Sequence, residues 1–209
     1  MNKILRLLTV SDLFILGSFG LIQPIFAIFL TKQIGGATIS AIGLAITIQL
    51  FTKAMFQILV ARWADCEKGN CRELHTLVAG SVLISAVPLL YALATTMWFI
   101  YLAQFLYGLG TALTYPSWRV MFTRYTNQEK AGYEWSVYDT VISLGTAASA
   151  AIGGILAEQF TFRNLFLIVA GLSIIGTAFI IMIFKQEFTC KLHLKGFKFP
   201  LVRRKTGTI

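Results

Sequence analysis

Charge is scarce in this chain of 209 residues: Asp, Glu, Lys and Arg together make up 13% of it. A soluble domain usually contains about 25% charged residues. The sequence also lacks an HExxH or GxSxG motif, a histidine within a long apolar run, and two carboxylates at catalytic spacing. Such motifs supply the reacting side chains of metalloproteases and serine hydrolases. We therefore expect a protein that is not an enzyme and that holds no cofactor.

Cysteine and histidine are rare as well, with three cysteines and two histidines in the chain. Cys66, Cys71 and His75 lie close together in the sequence, but their spacing matches no zinc pattern. We expect no metal site. We interpret Cys66, Cys71 and Cys190 as free thiols in a reducing compartment.

Apolar sequence, by contrast, is abundant. Hydrophobic residues make up 56% of the chain, and the mean hydropathy is +0.73. A helix needs about 20 mostly apolar residues to cross the hydrocarbon core of a bilayer. Six runs of this kind follow one another, at approximately residues 10–30, 39–61, 76–94, 97–122, 135–157 and 164–184. We predict six transmembrane spans in a domain of residues 1–185, followed by a basic cytoplasmic tail of residues 186–209.

The positive charges are distributed unevenly about these spans. With the amino terminus in the cytoplasm, fourteen Lys and Arg residues lie on the cytoplasmic side, and only Lys32 and Arg163 lie outside. Cytoplasmic loops of membrane proteins carry an excess of Lys and Arg. The distribution therefore predicts a multi-pass protein of the cell membrane with both termini in the cytoplasm. It also explains the net charge of +9, which in a soluble chain would suggest nucleic acid, so we expect no nucleic-acid partner.

Polar side chains recur at helical spacing on three of the spans, which is typical of helices that line a water-filled cavity. The third and sixth spans lack charged residues, so we expect them to face lipid. The first, second and fourth spans are expected to face inward. The residues that we expect to contact a small solute are Gln23, Gln49, Lys53, Gln104, Thr111 and Tyr115.

Four ionisable residues lie at membrane depth, where each costs on the order of 2.5–3.5 kcal/mol at the centre of a span. They are Asp12, Lys53, Arg119 and Asp139. Arg119 and Asp139 lie at matching depths, so their pairing would form either a lock between two helices or part of a gate. Lys53 lies deeper, about 13 Å from the inner surface. We expect it to attract an anionic group of the solute or to hold a carboxylate such as Asp12.

Small residues repeat every four positions in the fifth span. Gly145, Ser149 and Gly153 form one row, and a second row ends at Gly154. Small residues at this spacing let two helix backbones approach closely. We predict tight helix packing on this face; a direct contact with the solute is the alternative.

Three stretches of the sequence resemble motifs of the major facilitator superfamily. In the loop after the second span, Asp65 matches the aspartate of the family motif, Gly69 and Arg72 match at shifted spacing, and Ala61 replaces a glycine. The fourth span matches the G-x-G-x-A pattern and the later proline, with Gln104 in place of an arginine that members often carry. The fifth span and the segment after it match a glycine motif and an aromatic-Arg-x-x-Phe pattern. The matched residues of these two stretches are Gly108, Gly110, Ala112, Pro116, Gly145, Gly153, Gly154, Phe162, Arg163 and Phe166.

The resemblance implies an all-α membrane fold, namely the amino-terminal six-helix half of such a transporter, built as a 3+3 inverted repeat. It implies transport of a small solute by alternating access, with Asp12, Asp65, Arg119 and Asp139 as gating or coupling candidates. Family members have two six-helix halves, so we expect a second half, another copy or a further segment, as a partner beside the lipid bilayer. The tail resembles the start of the family's central loop. The alternative is a non-transporting six-helix membrane protein, or a truncated fragment, with a role in assembly or anchoring.

Overall fold

The computed structural model describes the backbone of residues 2–65 and 71–194 and the side chains of residues 2–64 and 72–185. Within these ranges the chain forms six long apolar helical spans and no β-strand, which confirms the predicted fold class. The first span comprises the helix Lys3–Ile22, the 3₁₀ turn Gln23–Ile25 and the helix Phe26–Gln33. The second to sixth spans are the single helices Ile39–Asp65, Cys71–Leu93, Met97–Tyr125, Ala131–Gln159 and Phe162–Leu194.

Proline and glycine determine where the first span breaks and where it ends. Pro24 lies in the 3₁₀ turn, and because it has no N–H it cannot continue the helical hydrogen-bond ladder. The loop to the second span contains Gly36 at a φ of 78°, a conformation that side chains other than glycine rarely adopt. The first span is therefore interrupted after a helix of 20 residues, continues as a helix of 8 residues and closes with a short turn.

One end of the helix bundle carries most of the described cations, including Lys3, Arg62, Arg124 and Lys185, and we call it the basic end. The turn at residues 126–130 lies at this end. There the side chain of Asn127 accepts a hydrogen bond from the backbone N–H of Glu129 at 3.0 Å. Glu134 accepts one from the N–H of Asn127 at 2.9 Å. These bonds satisfy backbone groups that the helix ends leave unpaired.

The six spans pack in a definite order. The second packs on the fourth, the fourth on the third, the third on the sixth, the sixth on the first, and the first on the fifth. If the first, second and third spans are exchanged with the fourth, fifth and sixth, respectively, the same packing order is obtained, read from its other end. The two triplets also run in opposite directions, since the first span begins at the basic end and the fourth span ends there. The packing is thus a 3+3 inverted repeat.

The third and sixth spans form the back of the bundle. In their most apolar stretches 50% and 44% of the residues are buried, against 11% and 6% in the second and fifth spans. About half of the residues in these stretches thus pack inside the bundle, and lipid contact on their remaining faces stays a prediction. Their small and hydroxyl-bearing residues allow close packing, as where the hydroxyls of Ser85 and Thr177 lie 2.8 Å apart. The hydroxyls of Thr76 in the third span and Ser117 in the fourth span are 2.6 Å apart.

The second and fifth spans lie at the two ends of the packing order and leave an open face between them. Large exposed apolar side chains cover both helices, and they include Leu50, Phe51, Met55, Leu59, Leu144, Ile152 and Ile155. Backbone groups inside these helices are satisfied by the helices themselves, so such a face is stable in a bilayer against lipid or against further helices.

Aromatic residues join the first, third and sixth spans at the end opposite the basic end. The ring of Phe29 meets that of Phe166 edge-on at 4.6 Å and also contacts Phe162 at 5.5 Å. Tyr91 contacts Phe166 at 5.5 Å. The two phenylalanines of the aromatic-Arg-x-x-Phe pattern therefore pack the start of the sixth span against the first span.

The sixth-span helix continues to Leu194, past the boundary predicted at residue 185. Residues 195–209, which form most of the predicted tail, lie outside the described residues. So do Cys66 and Gly69, together with the side chains of Asp65, Cys71 and Cys190.

Candidate solute-binding site

A cavity of about 330 Å³ lies between the first, second and fourth spans, beside the break in the first span. Gln23, Gln49 and Gln104, one from each span, line it. The structure therefore brings together three of the six predicted solute contacts. The remaining lining residues are apolar or aromatic, and none of the lining residues is charged: Phe19, Ile22, Phe26, Ile46, Tyr91 and Tyr107.

Gln104 is the most deeply buried of the three glutamines, with 4% of its surface exposed. Its side-chain oxygen has no hydrogen-bond partner among the described residues. A buried acceptor left without a partner costs about 1–3 kcal/mol. A ligand in the cavity that donates a hydrogen bond to this oxygen would remove that cost. The position is the one at which the family motif often has an arginine.

Two backbone features shape the cavity. Gln23 begins the 3₁₀ turn, so the break in the first span lies directly at the cavity wall. Gly108, one turn after Gln104, lies against the second span: a side chain there would collide with the backbone oxygen of Gln49 and with Thr52. The absence of a side chain at Gly108 therefore sets the separation of the second and fourth spans at the cavity.

Aromatic rings form two walls of the cavity. Phe19 and Tyr107 stack nearly parallel, with ring centroids 4.9 Å apart and an interplanar angle of 6°. This stack links the first and fourth spans on the basic side of the glutamines. Phe26 and Tyr91 meet at 5.1 Å on the other side. Stacked and tilted rings of this kind offer apolar faces to a planar solute.

Lys53 lies one helical turn from Gln49, toward the basic end. Its ammonium group lies 4.4 Å from the centroid of the Tyr115 ring, and the guanidinium of Arg119 lies 5.1 Å from the same centroid. A cation–π contact contributes about 0.5–1 kcal/mol at an exposed site. That is less than the 2.5–3.5 kcal/mol estimated for each charge at membrane depth. Two predicted contacts, Lys53 and Tyr115, are therefore neighbours, but the ring alone does not offset both charges.

The predicted partners of the carboxylates proved to be wrong. The hydroxyl of Tyr138 donates a hydrogen bond of 2.8 Å to Asp12, so Asp12 joins the first span to the fifth and does not pair with Lys53. Arg119 and Asp139 form no ion pair among the described residues, because Arg119 lies on Tyr115 and Asp139 is exposed. The lock predicted between those two residues is absent.

A different ion pair, missed in the sequence, ties helices at the basic end. Arg124 donates two hydrogen bonds to the carboxylate of Glu73, at 2.7 and 2.9 Å. Glu73 lies in the first turn of the third span and Arg124 in the last turn of the fourth. Antiparallel spans bring those two turns to the same level, so opposite charges at adjoining span ends were the available signal.

The small residues of the fifth span face the first span. A side chain added at Gly145 would collide with Leu13, and one added at Gly153 would collide with the backbone oxygen of Leu21. Ser149 lies close to Gly17 in the same interface. Gly154, by contrast, has open space on its side-chain side. The row of Gly145, Ser149 and Gly153 is thus in close helix contact.

Thr111 does not line the cavity. Its hydroxyl donates to the backbone oxygens of Tyr107 and Gly108 within its own helix, at 3.0 and 2.8 Å. It is half-buried on the fourth span, between the cavity and Tyr115. The side chain of Asp65, the remaining gating candidate, lies outside the described residues, so its role stays a prediction.

Comparison with known protein families agrees with this arrangement of two inverted helix triplets around a polar cavity. The sequence model described as Major Facilitator Superfamily matches residues 8–204. The chain belongs to the major facilitator superfamily. The family groups transporters, and its assignment agrees with the motif resemblance in the loop after the second span, in the fourth span, and in the fifth span with the segment that follows it.

Two relatives illustrate the likeness. Over 177 residues the chain is 25% identical to the multi-drug resistance efflux pump PmrA homolog of Lactococcus lactis subsp. lactis (strain IL1403), covering 84% of this chain and 42% of that protein. The chain also resembles the in meso crystal structure of the POT family transporter PepTSo, with a TM-score of 0.74 at 17% identity. That match covers 90% of this chain and 38% of the other, and it concerns the fold. The chain thus spans about two fifths of the length of these relatives.

Proposed function

We propose that this superfamily member carries a small solute across the membrane by alternating access, and that the solute binds in the glutamine cavity. The observation that carries the proposal is the buried side-chain oxygen of Gln104, which has no hydrogen-bond partner among the described residues and lies in a cavity that the amides of Gln23 and Gln49 also line. A helix bundle used only as an anchor has no need of such a group. Membership of a transporter family and the likeness to an efflux pump and to a POT family transporter support the same function.

Alternating access requires a second set of helices against which this set can move. The open face between the second and fifth spans carries exposed apolar side chains and lies beside the cavity. We propose that another six-helix unit, a second copy or a further segment of the protein, covers this face. The length of the relatives, of which this chain spans 42% and 38%, supports that arrangement.

The orientation in the membrane follows from the same charges that define the basic end. An excess of Lys and Arg marks the cytoplasmic side of membrane proteins. We propose that the basic end is cytoplasmic, that both chain termini lie there, and that the protein resides in the cell membrane. In this orientation the cavity lies closer to the outer surface of the membrane than to the inner surface. Gln49 and Gln104 follow the outer loops by about 10 residues or fewer, at a rise of 1.5 Å per residue.

The function is tested by flux of two dyes into proteoliposomes that contain the protein made from its complete gene. The dyes are fluorescein, an anion, and a cationic rhodamine ester with the same xanthene rings. Wild-type protein is expected to raise the uptake of at least one dye above that of empty liposomes. Gln104→Leu should lower that rate about tenfold, which corresponds to about 1.4 kcal/mol for one lost hydrogen bond.

Gln159→Leu is the matched control, because Gln159 is an exposed glutamine at the end of the fifth span, away from the cavity. It should transport like wild type. Uptake of both dyes equal to that of empty liposomes would contradict the transport function and favour a role in assembly. Equal loss in the Gln104 and Gln159 variants would show that the cavity is not the solute site.

A further inference from the structure

We infer that Lys53, Tyr115 and Arg119 form a binding site for an anionic group. We further infer that the transported solute is an organic anion whose uncharged part occupies the glutamine cavity. This second step rests on the function proposed above, whereas the anion site stands on its own geometry.

The geometry places two cations on one aromatic ring. The ammonium of Lys53 and the guanidinium of Arg119 each lie about 5 Å or less from the centroid of Tyr115 and therefore within about 10 Å of each other. An anionic group beside this ring would be attracted by both cations. Tyr115 is 42% exposed, so a ligand can reach the ring on which the two cations lie.

No carboxylate among the described residues neutralises either cation. Glu73 pairs with Arg124, and the carboxylate of Asp12 accepts a hydrogen bond from Tyr138. Two like charges repel each other at this separation, and at membrane depth water screens them poorly. The Tyr115 ring offsets only part of that penalty. An anionic ligand would remove this repulsion.

The position of the site relative to the cavity indicates the shape of the ligand. Gln49 lines the cavity, and Lys53 lies one turn further along the same helix, about 6 Å away at 1.5 Å per residue. The cavity itself has amide groups and aromatic walls but no charge. A solute with an anionic end at Lys53 and Arg119 and a planar, hydrogen-bond-donating body among the glutamines would engage both parts.

Dye binding to the purified full-length protein in an uncharged detergent tests the site directly. Fluorescence anisotropy would give the dissociation constants of fluorescein and of the cationic rhodamine ester. Wild type is expected to bind fluorescein about tenfold more tightly than the rhodamine ester or better. The double variant Lys53→Gln with Arg119→Gln should weaken fluorescein binding by about tenfold or more and leave rhodamine binding within about twofold.

Arg62→Gln is the matched control, because it removes an exposed cation from the same helix near the basic end. It should leave both dissociation constants unchanged. Lys53→Gln alone, which removes one charge, provides a second variant if the double variant is not recovered folded, and it should still weaken fluorescein binding severalfold.

The anion site is refuted if wild type binds the two dyes equally or if the charge-removing variants bind fluorescein as wild type does. Unchanged fluorescein binding by the charge-removing variants would also be obtained if a carboxylate from another six-helix unit neutralised the two cations. That outcome equally refutes the anion site. The flux experiment gives a separate answer. Selective binding of fluorescein without flux of either dye would support the anion site and contradict transport. Rhodamine flux with unselective binding of the two dyes would support transport and contradict the anion site.

Discussion

Arg124, at the end of the fourth span, donates two hydrogen bonds to the carboxylate of Glu73, at the start of the third. Glu73 is buried, with 7% of its surface exposed. Removing the arginine therefore leaves a buried carboxylate without its main partner. The pair ties together the cytoplasmic ends, in the orientation proposed above, of two helices that pack along their whole length.

Arg124→Ala should lower the free energy of unfolding by about 1–3 kcal/mol, because it leaves the Glu73 carboxylate without those two bonds. The double variant with Glu73→Ala should recover part of that loss. Thermal unfolding in detergent measures both. Lys130→Ala, an exposed cation on the adjoining turn, is the control and should change little. Strictly additive losses in the double variant would show that the two residues do not stabilise each other.

Two adjacent glycines of the fifth span should respond differently to the same substitution. Gly153→Ala places a methyl group against the backbone oxygen of Leu21, which cannot move without shifting the first span. Overpacking of this kind costs about 1–3 kcal/mol. Gly154→Ala meets open space and should be neutral, or slightly stabilising because alanine favours the helix. Melting temperatures in detergent measure the difference, and equal effects at both positions would contradict the packing described here.

The hydrogen bond between Tyr138 and Asp12 should contribute measurably to the contact between the first and fifth spans. Tyr138→Phe removes the donor and keeps the ring, so the expected loss of stability is about 0.5–1.5 kcal/mol. Tyr133→Phe, on the same helix but exposed, is the matched control. Thermal unfolding compares the two. If Tyr138→Phe has the same melting temperature as Tyr133→Phe and wild type, the hydrogen bond adds nothing to the stability of the interface.

Thiol labelling tests the proposed orientation. A membrane-impermeant thiol reagent applied to intact cells should leave Cys66, Cys71 and Cys190 unlabelled, since all three belong to segments at or beyond the basic end. Thr95→Cys, in the short connection between the third and fourth spans at the opposite end, should be labelled. Permeabilised cells should show labelling of the native cysteines. Labelling of Cys66 in intact cells, with none of the introduced cysteine, would reverse the orientation.

The sequence alone was sufficient for the number of spans, the fold class and the family. Each depends on properties that are local to one segment: the length of an apolar run, or a motif of a few residues. The polar positions Gln23, Gln49 and Gln104 were also predictable, because a polar residue in an apolar helix is conspicuous wherever the helix packs. The short loops and alternating directions of the spans then limited which ends could meet.

Partnerships between side chains were decided by the tertiary structure. Asp12 and Tyr138 are 126 residues apart, and no local pattern indicates that their helices touch. The packing order of the spans determines that Asp12 faces the fifth span and that Lys53 faces Tyr115 on the fourth. This order depends on close contacts such as that of Gly153 with Leu21. In a bilayer the hydrophobic effect does not select between helix neighbours, so complementary shape and interhelical hydrogen bonds do, and both are properties of pairs of helices.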